Sequence, residues 1–139
     1  MIAVDASIAL KLVLQEPDSQ LAQATWQTWT KDSEVVIAPG LFRAETLSVV
    51  RRKVHQGLLS EPDGEQASTV LDNLAVQIGE PGHLYAVAWR IAKRFNRPTI
   101  YDSCYLALAF IVGCELWTAD HRLANAVRTQ LPWVRLLGA

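Results

Sequence analysis

Short apolar runs alternate along this chain with longer segments of helical spacing. The runs Ile2-Ala3-Val4, Val35-Val36-Ile37, Ala75-Val76-Gln77-Ile78, Glu115-Leu116-Trp117-Thr118 and Trp133-Val134-Arg135-Leu136 have the length of strands. Residues 83–95 show the helical pattern best. Leu84, Val87, Ala88, Ile91 and Phe95 fall on one stripe, and Arg90, Lys93, Arg94 and Arg97 on another. Segments 19–30, 41–56, 62–74, 101–112 and 121–130 also predict helices, with Asp18 or Ser19 and Ser60 as candidate N-caps. Residues 6–13 receive no element. Breaks rich in Pro, Gly, Asp and Asn fall at 15–18, 31–33, 60–64, 79–82, 96–98 and 131–132. No stretch resembles a linker, repeat or low-complexity tract. Helices interleaved with short strands predict an α/β fold, one domain over 1–139, with a small, mostly parallel central sheet flanked by helices on both faces.

Composition narrows the picture. Half of the 139 residues are hydrophobic and 19% are charged, which excludes disorder. The formal net charge is −1, from 13 basic and 14 acidic residues, so any polyanion must be held by a local patch. No basic n-region precedes the first apolar stretch, and Asp5 interrupts it. The longest uncharged apolar run, 104–114, falls well short of the ~20 residues that span a bilayer. A cytoplasmic protein without membrane contact is expected. Cys104 and Cys114 form no CxxC and read as small buried hydrophobes. The five tryptophans read chiefly as core, Trp89, Trp117 and Trp133 especially; Trp26 and Trp29, three apart, could otherwise form an exposed aromatic edge.

Candidate chemistry lies in four acids. Asp5 and Asp120 each stand at the carboxyl end of a predicted strand, where ligands bind in open α/β sheets. Asp102 opens an apolar helix, where an N-cap role competes with a place in a site. Glu45 lies within a helix, where simple solvation competes. No Lys or Arg stands in the immediate run around Asp5 or Asp102. If the four converge, two like charges 4 Å apart repel by about 4 kcal/mol at an effective dielectric of 20, so the cluster must take up protons or bind a cation. A cage of carboxylates without histidine suits Mg²⁺ or Mn²⁺ and not zinc. The nucleotide loops GxxxxGK[ST] and GxGxxG are absent, as are HExxH and GxSxG. A phospho-receiver domain is disfavoured, because Ala6 and Ser7 follow Asp5 where such domains carry paired acids.

Four motifs in order resemble PIN-domain ribonucleases, and most closely the VapC-like toxins of toxin–antitoxin pairs. They are Val4-Asp5-Ala6-Ser7, Arg43-Ala44-Glu45 leading into Arg51-Arg52-Lys53, Tyr101-Asp102-Ser103-Cys104-Tyr105-Leu106-Ala107-Leu108-Ala109, and Trp117-Thr118-Ala119-Asp120-His121-Arg122-Leu123. The resemblance spans essentially the whole chain. It implies a metal-dependent endoribonuclease in which Asp5, Glu45, Asp102 and Asp120 gather around Mg²⁺ or Mn²⁺. Asp5 and Asp102 are the implied direct ligands, and Glu45 and Asp120 complete the shell directly or through water. Ser7 and Thr118 support them by hydrogen bonds. The implied partners are an RNA substrate, a cognate antitoxin and a second copy of the chain. Arg43, Arg51, Arg52, Lys53 and Arg122 flank the acids as phosphate contacts, while the stripe Arg90, Lys93, Arg94 and Arg97 reads first as a solvated face. The alternatives are an RNA-processing factor or an RNA-binding module on the same scaffold without a toxin role.

Overall fold

The computed structural model describes residues 1–139. Twelve elements follow in order: β1 (Ile2–Val4), α1 (Ala6–Val13), α2 (Ser19–Lys31), β2 (Val36–Ala38), α3 (Leu41–His55), α4 (Glu61–Asn73), β3 (Val76–Ile78), α5 (Leu84–Arg94), α6 (Tyr101–Val112), β4 (Glu115–Thr118), α7 (His121–Val127) and β5 (Val134–Leu136). The strands form one sheet in the order β3-β2-β1-β4-β5. Every pairing is parallel, with Val4 opposite Trp117 and Ile2 opposite Val36. The chain thus adds β2 and β3 on one side of β1, then β4 and β5 on the other. The carboxyl ends of β1 and β4 flank this switch point, where such sheets open a crevice.

Burial follows from position in the sheet. All of β1 and β2 is buried, whereas the edge strands β3 and β5 expose Gln77, Ile78 and Arg135. The helix α6 is buried from Ser103 through Ala109, because it packs between α5 and strands β1 and β4. Such all-round burial matches its lack of a polar face. Gly113, with φ of 79°, ends it in the left-handed conformation that glycine adopts without strain. Ser103 Oγ is the one fully buried side-chain polar atom with no hydrogen-bond partner. An unmet buried hydroxyl costs about 1–3 kcal/mol, so Ser103→Ala is expected to raise stability by about 1 kcal/mol in urea unfolding.

The predicted strands and the six predicted helices are all present, with boundaries shifted by at most three residues. The omission is α1. Its sequence, Ala-Ser-Ile-Ala-Leu-Lys-Leu-Val, is apolar on nearly every side and only eight residues long. Periodicity cannot separate such a run from a buried strand. Asp5 marks its start, with a carboxylate that accepts from Ser7 N. Among the proposed caps, Ser60 accepts from Asp63 N, but Asp18 makes no capping bond. Ser19 instead accepts from Glu16 N and donates to Leu14 O.

Trp29 is buried and meets Trp26 and Trp117 at ring-centroid distances of 5.8 and 5.5 Å, so the early pair belongs to the core side. Trp89 corrects the sequence reading, for it is 68% exposed. Leu84, Ala88 and Ala92 carry the buried stripe of α5, and position 89 lies a quarter-turn off it. Both cysteines are free, Cys104 buried and Cys114 half-buried. No helix is long and apolar enough to cross a membrane.

Candidate active site

The site begins where β1 stops. Asp5 follows Val4 at the carboxyl end of the central strand and is only 6% exposed. Its carboxylate accepts hydrogen bonds from Ser7 N at 3.0 Å, from the Ser7 hydroxyl and from the Thr118 hydroxyl. The two hydroxyls are held in turn by the next strand. Ser7 Oγ accepts from Ala119 N at 2.8 Å, and Thr118 Oγ1 accepts from Asp120 N at 3.0 Å. The end of β4 therefore locks both side chains so that their protons face Asp5. Ser7 and Thr118 thus both hydrogen-bond Asp5, one to each carboxylate oxygen.

The other three acids are held by different devices. Asp120 caps α7, its Oδ1 accepting from Arg122 N at 2.9 Å and Leu123 N at 3.2 Å. Glu45, half-buried on α3, accepts from the Tyr105 hydroxyl at 2.9 Å. Its position is therefore fixed by α6 and is not that of a freely solvated helix residue. Asp102 is no N-cap: α6 starts at Tyr101 behind Ile100, which makes no side-chain cap bond. The Asp102 Oδ2 instead receives Arg97 Nη2 at 3.0 Å. That pair supplies a cation which the immediate run around Asp102 lacks. Arg97 stands outside the local run but returns across the 96–100 turn.

Electrostatics show that the acids share one neighbourhood. Burial pushes the Asp5 carboxyl up to about 6; its hydroxyl bonds oppose the rise, and the charges of Asp102 and Asp120 add to it. Burial also raises Glu45, against the Tyr105 bond and with help from the Asp102 charge. The Tyr105 hydroxyl is pushed up by burial and by Glu45 beside it. Asp5 is thus a buried acid under like-charge pressure, the condition a divalent cation relieves. The donors are oxygens only, which fits a hard ion such as Mg²⁺. The side chains are nevertheless not drawn into a ready cage, since no three acidic, histidine or cysteine groups stand within metal-holding geometry.

The expected phosphate contacts divide. Arg122 is exposed on the first turn of α7, beside the capping Asp120. Arg51 and Arg52 are exposed in the last turns of α3, Arg51 within 3.5 Å of Glu61. They stand six and seven residues beyond Glu45, roughly 10 Å along the axis. Lys53 is half-buried and lines a cleft with Leu12 and Leu58. Arg43 turns toward β3, where its Nη2 reaches the Val76 carbonyl at 3.5 Å.

Two residues of the site escape a reading of the sequence alone. Tyr105 looks like one more apolar member of α6, yet its place three residues after Asp102 puts both on one face of the helix. Arg97 looks like part of a solvated stripe. The larger clefts lie elsewhere, the widest, of about 770 Å³, at the amino ends of the strands by Met1, Glu34 and Phe110. Chemistry and concavity therefore disagree here, and the perturbed carboxylate is the better guide because catalytic groups are the ones whose ionisation is shifted.

Comparison with known proteins agrees with this fold. The PIN domain family model matches residues 2–128. The chain is 32% identical over 132 residues to Ribonuclease VapC9 of Mycobacterium tuberculosis, covering 95% of both proteins. It is 29% identical over 126 residues to Ribonuclease VapC12 of the same organism, covering 91% of this chain and 92% of the relative. Among solved structures, Mycobacterium tuberculosis VapC20, described as a sarcin–ricin loop cleaving toxin, superposes with a TM-score of 0.67. That match has 18% identity and covers 91% of this chain and 95% of the other, a likeness of fold.

Proposed function

The chain belongs to the PIN-domain family, and from that premise we propose that it is an endoribonuclease, the toxin of a toxin–antitoxin pair, that hydrolyses RNA phosphodiester bonds at its acidic centre. The observation that carries this reading is Asp5, buried at the switch point of the sheet, raised to about 6 and held by two locked hydroxyls. Asp5 and Asp102 would hold Mg²⁺ or Mn²⁺, with Glu45 and Asp120 completing the shell directly or through water. When bound, such an ion supplies charge neutralisation at the phosphate and a more acidic water.

The remaining work falls to the protein. Ser7 and Thr118 keep both Asp5 oxygens aimed and ionised, and Tyr105 does the same for Glu45. Arg97 holds Asp102 in place, and one N–H of its guanidinium suffices for that bond. Arg122 on one flank and Arg51, Arg52 and Lys53 on another offset the acids' repulsion of the RNA backbone. Arg43, at the start of the same helix as Glu45, extends that flank. A cognate antitoxin and a second copy of the chain are the proposed protein partners. A cleft of about 480 Å³ that sets Leu12, Leu58 and Val70 among Glu16, Gln66 and Asp63 supports the first, being a concave surface of mixed character into which a protein segment can fit.

The test compares the purified protein on total cellular RNA in Mg²⁺, Mn²⁺ and EDTA, with cut ends mapped by sequencing. Discrete cuts that require the metal are expected. RNA that is bound but uncut in every condition, by folded protein free of antitoxin, would assign a binding role instead. A second measurement addresses the flank. Replacing Arg51 and Arg52 with Gln should lower the salt slope of single-stranded RNA binding by about 0.7 for each phosphate that is no longer neutralised. Stability should barely change, because the Arg51–Glu61 pair is exposed and such pairs contribute little. An unchanged slope removes both residues from the RNA path.

A further inference from the structure

We propose that the outer face of α5 and the turn behind it, centred on Trp89, Lys93 and Arg97, is a subsite for one unpaired nucleotide of the RNA strand. The inference rests on the ribonuclease reading above and adds where the strand lies beside the acids. The base stacks on the Trp89 indole, and its phosphate lies between Lys93 and Arg97.

The first observation is an aromatic surface left in water. Trp89 is 68% exposed, Tyr85 one turn before it is 56% exposed, and Tyr101 beside Asp102 is 64% exposed. Tyr85, Trp89 and Lys93 recur every four residues and so share one face of α5. The second observation is a cleft of about 280 Å³ between that face and the turn, lined by Trp89, Lys93, Arg97, Pro98 and Ile100. One wall of this cleft touches the acidic centre, because Arg97 also donates to Asp102 Oδ2. The free donors of Arg97 give a second acceptor, such as a phosphate oxygen, a place beside the carboxylate.

Charge selects the occupant. From residue 81 to residue 101 the chain carries Arg90, Lys93, Arg94 and Arg97 and no acid, although the whole protein has net charge −1. The acids bordering the face are Glu80, which accepts from the Tyr85 hydroxyl at its far end, and Asp102, which pairs with Arg97. Arg94 is turned aside, bound to Gln130 and lying over Phe95, so it does not close the cleft. A symmetric contact between two copies would set this positive face against itself, since an isologous interface pairs the same patch. A polyanion with flat, apolar bases meets both halves of the surface. The base must be unpaired, because a duplex keeps its faces stacked and out of reach.

The experiment measures binding in EDTA, where no cleavage intrudes, with the full chain and a short labelled oligoadenosine. Wild type is compared with Trp89→Ala, Trp89→Tyr and Lys93→Gln, each checked for folding by circular dichroism. Trp89→Ala is expected to weaken binding by about five- to a hundredfold, the range of one missing base stack, and Trp89→Tyr to retain most of the affinity. Lys93→Gln should lower the salt slope by about 0.7. A fully paired RNA duplex should bind wild type and the two Trp89 variants alike. Equal oligoadenosine binding by wild type and Trp89→Ala overturns the subsite while leaving the nuclease reading intact. A dimer that Trp89→Ala dissociates, with RNA affinity unchanged, assigns the face to a second copy and also overturns it. Folded wild type that neither binds nor cuts RNA removes the parent reading itself.

Discussion

Asp5→Asn is expected to reduce RNA cleavage by on the order of a thousandfold while leaving the protein folded. A divalent ion contributes several kcal/mol to the transition state of phosphodiester hydrolysis, and each 1.36 kcal/mol removed is about a tenfold lower rate. Asp5 is the acid most completely enclosed by the fold, and its position is the least replaceable. The substitution is nearly isosteric. The Asn carbonyl oxygen takes the Oδ1 place, where it accepts from Ser7 N and the Ser7 hydroxyl, and the amide nitrogen faces the Thr118 hydroxyl, which rotates to accept it. The Thr118 hydroxyl already accepts from Asp120 N and has one lone pair left for that purpose. The measurement is the rate of appearance of mapped cut ends in Mg²⁺, beside a circular-dichroism spectrum. Wild-type activity from a clean Asp5→Asn preparation would remove Asp5 from the catalytic centre. Asp120→Asn is a useful companion, because asparagine also caps helices and so separates loss of activity from loss of α7.

The second large effect is on stability, and its sign depends on pH. The Asp5 carboxyl titrates near 6 in the folded protein, against 3.8 for an ordinary aspartate. Below about pH 3 the group is protonated in both states and its burial carries no charge penalty. As pH rises through 6, the folded state must ionise a buried acid beside Asp102 and Asp120, and about 3 kcal/mol of stability is lost. The metal-free protein should therefore be more stable at pH 5 than at pH 8 as far as Asp5 is concerned. Asp5→Asn removes the penalty, so in EDTA the variant should exceed wild type at pH 8 by about 1–2 kcal/mol, after allowance for the weakened hydrogen bonds. That advantage should vanish near about pH 3. Millimolar Mg²⁺ at pH 8 should stabilise wild type more than the variant, since only the ionised carboxylate attracts the cation. Urea unfolding across these conditions checks all three statements. A pH-independent difference between the two proteins would mean that burial does not raise the Asp5 carboxyl.

Much of the fold is readable in the residues. The order of apolar runs and amphipathic segments predicts every strand and six of seven helices. The partly exposed helices have a polar face that reports their period, and α6, which lacks one, is at twelve residues too long for a buried strand. The α1 helix has almost no polar face, and so gives no such signal. The positions of Asp5 and Asp120 at strand ends follow from the same pattern, since a parallel sheet puts all its carboxyl ends on one edge. The supporting roles of Ser7 and Thr118 are implied by family resemblance, and the hydrogen bonds give them a physical basis. Trp89 defeats the pattern because an apolar side chain near an apolar stripe looks like core until the helix phase is known to within a quarter-turn.

The α/β architecture, the direction of the strands and the edge at which Asp5 and Asp120 stand depend on periodicities that each segment carries alone, and so are legible residue by residue. What each acid touches is set by packing between distant elements. Arg97 reaches Asp102 across a turn, Tyr105 reaches Glu45 from 60 residues away, and Thr118 reaches Asp5 from 113. Those contacts depend on where whole elements come to rest against one another. Desolvation and like-charge repulsion, which raise the Asp5 carboxyl, exist only once the chain has closed around it.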